Sequence, residues 1–173
     1  MKPPSIGENG PIDRGYVALA ATEADAMRLE HLYRIRFTYP QGWEVALEGG
    51  WEQHFYLADG TCEGEINGRF RGANFPLRRT LNGPFQPDMR GVIETDDDAI
   101  VFFEGHGFGR AYPEGKRQIV GSVIHLSDHA NYRRLNDTMC VCVGEVRSAT
   151  DPRASGPTLV MDVAELIWEP ITP

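Results

Sequence analysis

Two charged pairs lie on neighbouring strand-like stretches, Arg90 and Glu94 in 90–95 and Glu104 and His106 in 99–106. Residues two apart on one strand share a face, and their side chains start about 6–7 Å apart, close enough to share one ligand or one water. A carboxylate in an apolar barrel is pushed towards its neutral form, and histidine titrates near neutrality. Glu104 and His106 therefore suit general acid and base work. Arg90 suits the anchoring of a carboxylate or phenolate, with Glu94 as base. A two-residue hairpin turn within Asp96–Asp98 puts Arg90, Val92 and Glu94 on one face with Val101, Phe103 and Gly105. Ile93, Thr95, Ile100, Phe102, Glu104 and His106 then occupy the other. Either face can be the interior, so both pairs stand as catalytic candidates. Arg69, Arg71, Arg110, Tyr112, Phe102 and Phe103 are the candidate ligand-binding residues around them.

The elements that must hold these residues are mostly strands. From His31 the sequence alternates with period two, Leu32, Arg34, Arg36 and Thr38 against Tyr33, Ile35, Phe37 and Tyr39, up to Pro40. The stretches 43–47, 52–58, 62–72, 90–95, 99–106, 117–126, 138–147 and 158–168 read as further strands. Asp59-Gly60, Asn82-Gly83 and Asp96-Asp97-Asp98 are the turn signals. Short strands at even spacing predict a mostly β protein, either a single closed antiparallel barrel of about 8–9 strands or a sandwich. Ala18–Leu32, with Thr22 as N-cap and acids in its first turn, predicts a short helix. Residues 128–136 predict one or two helical turns that plug a barrel end. Residues 1–17, rich in Pro and Gly, read as an arm before a single domain over 18–173. Ile6, Ile12 and Tyr16 would let that arm reach over a partner subunit. The loop 147–157 reads as irregular and mobile.

Composition narrows the function. A 173-residue chain that is 41% hydrophobic can bury one proper core. Its net charge of -8 argues against nucleic acid as a partner. No apolar run approaches the roughly 20 residues of a membrane helix, and the start Met1-Lys2-Pro3-Pro4 lacks an apolar signal core, so a cytoplasmic protein is expected. Cys62, Cys140 and Cys142 are odd in number and read as buried thiols. The histidines His31, His54, His106, His125 and His129 form no convincing metal pattern; His125 and His129 straddle a strand end. Neither a metal nor a cofactor is expected. The glycines of Gly105-His106-Gly107-Phe108-Gly109 precede no helix and read as points of strand curvature rather than a phosphate loop.

Gly68-Arg69-Phe70-Arg71-Gly72, Asp88-x-Arg90, Thr95-Asp96-Asp97-Asp98-Ala99 and Tyr132-Arg133-Arg134-Leu135-Asn136 match one family in order and spacing. Over 32–168 the chain resembles the domain of unknown function 3237 family of small β-barrel proteins. It departs from that family at Ala73-Asn74-Phe75-Pro76-Leu77-Arg78, where Gly-Gly-x-Asp-Trp is usual, and at Asp98, where glycine is usual. The resemblance implies a lipocalin-like or cyclase-like barrel, often dimeric, acting on small organic molecules without a recognised cofactor. Together these readings predict a cofactor-independent lyase, isomerase or cyclase using acid/base chemistry on an aromatic or polyketide-like molecule held in the barrel, as a homodimer. The alternative is a barrel that binds or carries a small ligand without catalysis. Phe70, Phe75, Phe102, Phe103, Phe108, Tyr112 and Trp168 supply aromatic surface for either.

Overall fold

The computed structural model describes residues 27–111, 117–147 and 157–170. They form nine antiparallel strands, β1 (Met27–Ala46), β2 (Glu52–Gly64), β3 (Gly68–Asn74), β4 (Leu77–Arg78), β5 (Asp88–Thr95), β6 (Ile100–Ala111), β7 (Arg117–Leu126), β8 (Cys140–Arg147) and β9 (Thr158–Trp168). Their order is β1-β9-β8-β7-β6-β5-β3-β2-β4, and pairing of β1 with β2 closes the sheet into a barrel. Closure removes the exposed edges that an open sheet would leave. The two-residue β4 only flanks β2, at Glu52 and Gln53.

Alternation gives each strand one inward face. Tyr33, Ile35 and Phe37 of β1, Phe70 of β3, Ile93 of β5, Val101 and Phe103 of β6, Val123 of β7, Cys140 and Cys142 of β8 and Met161 and Val163 of β9 are all buried. They fill one half of the barrel with a continuous core. Leu32, Ile66 and Leu135 close that end. Leu135 sits on a 3-10 turn, Arg133–Asp137, the observed form of the helical plug expected near 128–136. The Asn136 amide fastens it, accepting from Ser127 N at 2.8 Å and donating to Ser127 O at 2.9 Å.

Four expectations about elements need correction. Pro40 does not end the first strand: a register shift between Thr38 and Gln41 absorbs it, and β1 runs on to Ala46. A bulge is a place where the missing proline N–H costs no ladder bond. Asp59-Gly60 is not a turn but the middle of β2; a Cβ on Gly60 would lie 2.0 Å from Arg36 O, so glycine serves a close strand approach. The 62–72 stretch is not one strand, since Asn67 bonds to Gly64 N and O and turns the chain between β2 and β3. The helix over Ala18–Leu32 gives way from Met27 to the start of β1; its first part, residues 18–26, lies outside the described residues. So do the arm 1–17, Tyr112 and the loop 148–156. Among the described residues no helix is long and apolar enough to cross a membrane. Gly107 pairs with Gly121, and a Cβ there would meet Val120 O at 2.2 Å, so glycine at this position serves a close approach of strands.

The β5–β6 turn has three residues rather than two. Thr95 N donates to Ala99 O at 3.0 Å, and Asp98 takes the left-handed conformation at φ 64°. This is the hairpin in which a type I turn ends in an αL residue. Thr95 Oγ1 donates to Asp97 Oδ1 at 2.5 Å, and Tyr132 OH reaches the same oxygen at 2.8 Å. These bonds hold the Asp97 carboxyl at a pKa of about 2. The extra residue changes the pairing parity: Arg90 lies opposite Glu104, and Glu94 opposite Ile100. One face of the hairpin therefore carries no charge, Thr95 being its one polar side chain, and the other carries every charge of the two strands.

Candidate functional site

At the end of the barrel opposite the plug, an open cavity of about 620 Å³ is lined by polar and aromatic side chains from several strands. Beyond Thr38, β1 pairs only with β2, so Gln41–Ala46 and Glu52–Leu57 extend as a two-stranded wall on one side. Period two on β2 brings Glu52, His54 and Tyr56 to the same face of that wall, towards the cavity. On the other side Leu77 bridges Gln86 and Phe85 bridges Gly109, which seats Arg78 and Phe85 on the rim. Arg117 enters from the start of β7.

His54 is only 5% exposed. Its Nε2 lies 3.3 Å from Glu52 Oε2, its Nδ1 2.9 Å from Tyr56 OH and 3.4 Å from Glu44 Oε2. We assign the proton of the neutral ring to Nε2, towards Glu52, which leaves Nδ1 to accept the Tyr56 hydroxyl proton. Glu52 is in turn gripped by Arg78, and this bond, with the contact to His54, holds its carboxyl below the usual range. Arg78, Glu52, His54 and Tyr56 form a chain of side-chain hydrogen bonds that ends at the cavity. Burial, with the Glu44 charge behind it, raises the Tyr56 pKa, so the resting phenol is neutral.

A second phenol faces the same space. Tyr39 stacks on Tyr56 with ring centroids 4.7 Å apart, and Tyr56 stacks on His54 at 5.5 Å. Asn74 Nδ2 donates to Tyr39 OH at 2.6 Å, while Asn74 Oδ1 accepts from Asp88 N at 3.2 Å, which fixes the amide's orientation. The Tyr39 oxygen is thus already an acceptor, and its own proton can be given to a ligand. Burial raises its pKa, so it stays protonated.

The positive charge comes from two arginines around one ring. The Arg117 guanidinium lies 3.9 Å from the Phe85 centroid and that of Arg78 lies 5.1 Å away. Arg117 makes no ion pair with a described residue; it is exposed, and partial desolvation at the cavity mouth lowers its pKa. Arg78 Nε is buried without an acceptor. An exposed cation without an ion pair and a second with one unbonded N–H, beside an aromatic-walled cavity, suit an anionic or strongly polarised oxygen on a flat molecule.

The chain shares its fold with β-barrel proteins of known structure. A β-barrel-like protein from Acinetobacter baumannii superposes with a TM-score of 0.67 at 21% identity, covering 82% of this chain and 96% of that one. A conserved protein of unknown function from Rhodopseudomonas palustris gives 0.64 at 20% identity, covering 82% and 98%. An enzyme from Penicillium herquei gives 0.61 at 14% identity, covering 86% and 100%. No protein-family model and no curated protein sequence matches the chain.

None of the four catalytic candidates chosen from sequence reaches this cavity. Arg90, Glu94, Glu104 and His106 all lie on the outer surface of β5 and β6, where His106 Nε2 bonds Glu104 at 2.8 Å and Glu94 pairs with Arg71. Arg69 is outside too, paired with Asp59 at 2.7 Å, and Arg110 and Phe102 also point outwards. Phe103 is interior, but it belongs to the core against Phe70 and His125. Tyr112 lies outside the described residues. The cause is the three-residue turn, which turned a choice between two mixed faces into one apolar interior and one charged exterior. The sequence did carry a signal for this cavity: Glu52-x-His54-x-Tyr56 places acid, imidazole and phenol on one strand face.

Among the described residues no group of three or more His, Cys, Asp and Glu gathers as a metal site. His125 and His129 diverge, one into the core and the other against Tyr132 in the loop. His125 Nε2 meets Tyr33 OH at 2.7 Å and its Nδ1 lies 3.8 Å from Cys140 Sγ. Burial pushes the Cys140 thiol up to about 11 and the imidazole down to about 4. Both stay neutral, so they are no nucleophile pair.

Proposed function

We propose that this barrel is an acid/base enzyme for a flat organic molecule bearing an enolisable or phenolic oxygen, of the lyase, isomerase or cyclase kind. The observation that carries the reading is the Glu52–His54–Tyr56 chain around a buried imidazole, which opens on a cavity that also presents a donor phenol and two arginines. Tyr56 takes a proton from the substrate as its own proton passes to His54 Nδ1. The imidazolium is stabilised by Glu52 and Glu44, and Arg78 keeps Glu52 in place. Negative charge that develops on the substrate oxygen is met by Arg117 and by the Tyr39 hydroxyl, donors already oriented before the reaction. The return of the proton to a different atom gives isomerisation, and its transfer during bond closure or cleavage gives the cyclase or lyase outcome.

One observation favours a carrier instead: both His54 nitrogens already have protein partners, as a purely structural histidine would. Deuterium exchange separates the readings. With 4-acetylbenzoate in D₂O, an aryl ketone with an anionic group, the protein should accelerate loss of the methyl proton signal. Tyr56→Phe and His54→Gln should return it to the buffer rate. Saturable binding without exchange supports the carrier, and exchange unchanged in both variants overturns the relay.

A further inference from the structure

The cavity has a second chamber. An annex of about 30 Å³ adjoins it on the core side, and Tyr39, Asn74, Ile119 and Leu159 border both spaces. The room exists because side chains are missing. Beyond Phe103 the inward positions of β6 are all glycine, Gly105, Gly107 and Gly109, and the inward position of β7 opposite Gly107 is Gly121. Gly105, Gly107 and Gly121 line the annex. Backbone closes its far side, where β6 and β7 come too near each other for a Cβ at Gly107. Phe37, Met89, Phe103, Cys142 and Met161 complete the lining with carbon and sulfur.

The annex exceeds the about 10–15 Å³ that one water occupies, but a buried water also needs two or more polar partners. The polar groups at the border are already engaged. Asn74 Nδ2 donates to Tyr39 OH at 2.6 Å, and Asn74 Oδ1 accepts from Asp88 N at 3.2 Å. An apolar void of this kind stays dry and takes a nonpolar guest.

We propose that the annex is a specificity subsite for a short alkyl group carried beside the substrate's reactive oxygen, which makes the substrate an aryl ketone with an acyl chain longer than acetyl. This rests on the proposed role of Tyr39 as the donor to that oxygen. Tyr39 stands at the border, so the chain on the oxygen-bearing carbon runs past it into the void. Arg78, Phe85 and Arg117 border only the outer cavity, which keeps the charged end of the ligand there. The ring lies between, against the stacked phenols of Tyr39 and Tyr56.

Calorimetric titration of the full chain with 4-acetylbenzoate and its propanoyl, butanoyl and hexanoyl homologues tests this. Affinity should rise about fourfold for the first added methylene, the worth of burying one, and should be no higher for hexanoyl than for butanoyl. 4-(Hydroxyacetyl)benzoate puts a hydroxyl where the propanoyl methyl lies and should bind at least about tenfold more weakly than the propanoyl probe, since the annex offers that hydroxyl no free partner. Cys142→Leu fills the annex and should bring the propanoyl-to-acetyl affinity ratio to about one. Met89→Val widens it and should move the optimum to the hexanoyl chain. Affinity that ignores chain length, that still rises at hexanoyl in the wild type, or that tolerates the hydroxyl equally overturns the subsite. So does a folded Cys142→Leu that keeps the propanoyl gain, or a failure of every probe to bind. Proton exchange without chain preference would leave the acid/base reading standing and remove the annex, whereas chain preference without exchange would do the reverse.

Discussion

The barrel buries two histidines, one near each end, and each touches a tyrosine hydroxyl, His125 at 2.7 Å and His54 at 2.9 Å. Their surroundings differ in every other respect. His125 sits among Phe103, Cys140 and Tyr33 below the plug, and burial drives its pKa to about 4. His54 has Glu52 and Glu44 within 3.4 Å and borders an open cavity. An imidazole facing carboxylates can accept a proton and be stabilised as the cation, whereas one facing sulfur and aromatic carbon cannot. The same residue pair is a packing unit at one end and a candidate catalyst at the other, and the neighbours make the difference.

The sharpest way to break this contrast is to exchange each histidine's partner set. His54→Gln and Tyr56→Phe should each lower proton exchange by about 10²–10⁴-fold, the usual worth of a positioned acid or base. His125→Gln should leave exchange within a few-fold of wild type and lower the unfolding midpoint instead. If His125→Gln removes exchange in a folded protein, the assignment of roles is reversed.

Acid titration sharpens the same contrast. His125 stays neutral in the folded protein down to about pH 4 but is protonated below its ordinary 6.5 once unfolded. Between those values the unfolded chain binds the extra proton, so stability is full above pH 6.5 and falls by about 3 kcal/mol as pH drops to 4. Urea unfolding at several pH values should show that slope, and His125→Leu should flatten it. Asp97 behaves separately. Its carboxyl, held at about 2 by Thr95 and Tyr132, contributes stability that is present above its ordinary 3.8 and lost as pH falls through 2. Tyr132→Phe should shrink that lower window and leave the upper one unchanged.

At the open end, Arg117→Gln should weaken binding of 4-acetylbenzoate by about tenfold, the loss of one charge-assisted contact, with exchange at saturation less affected. Calorimetric titration against the free probe reads this, and equal affinity would remove Arg117 from the ligand's anchor. The smallest effect lies at the sealed end. Asp98→Gly trades relief of the left-handed backbone against a more flexible unfolded chain, and should shift stability by less than about 1 kcal/mol.

The barrel was legible in the sequence because a closed sheet with one buried face must alternate apolar and polar residues along every strand. Tyr33, Ile35 and Phe37 announce that face without reference to anything distant. The site was not, for two reasons. Its members, Tyr39, Glu44, Glu52, His54, Tyr56, Asn74, Arg78, Phe85 and Arg117, meet only through strand register and closure, which no local pattern encodes. The charged residues that do cluster in sequence, from Arg90 to His106, drew the reading to the opposite face, because the length of the Asp96–Asp98 turn sets parity and Asp-Asp-Asp is compatible with two lengths. Glycines misled once, at Gly60, where close strand approach and a turn demand the same residue.

That turn has a consequence for how the barrel can vary over evolutionary time. Each residue added to or removed from it exchanges what β6 shows to the core for what it shows to water: Val101 and Phe103 would be traded for Phe102 and Glu104. Lineages that keep this core can therefore lengthen or shorten the loop only two residues at a time, or must pair a single insertion with a bulge elsewhere on the hairpin.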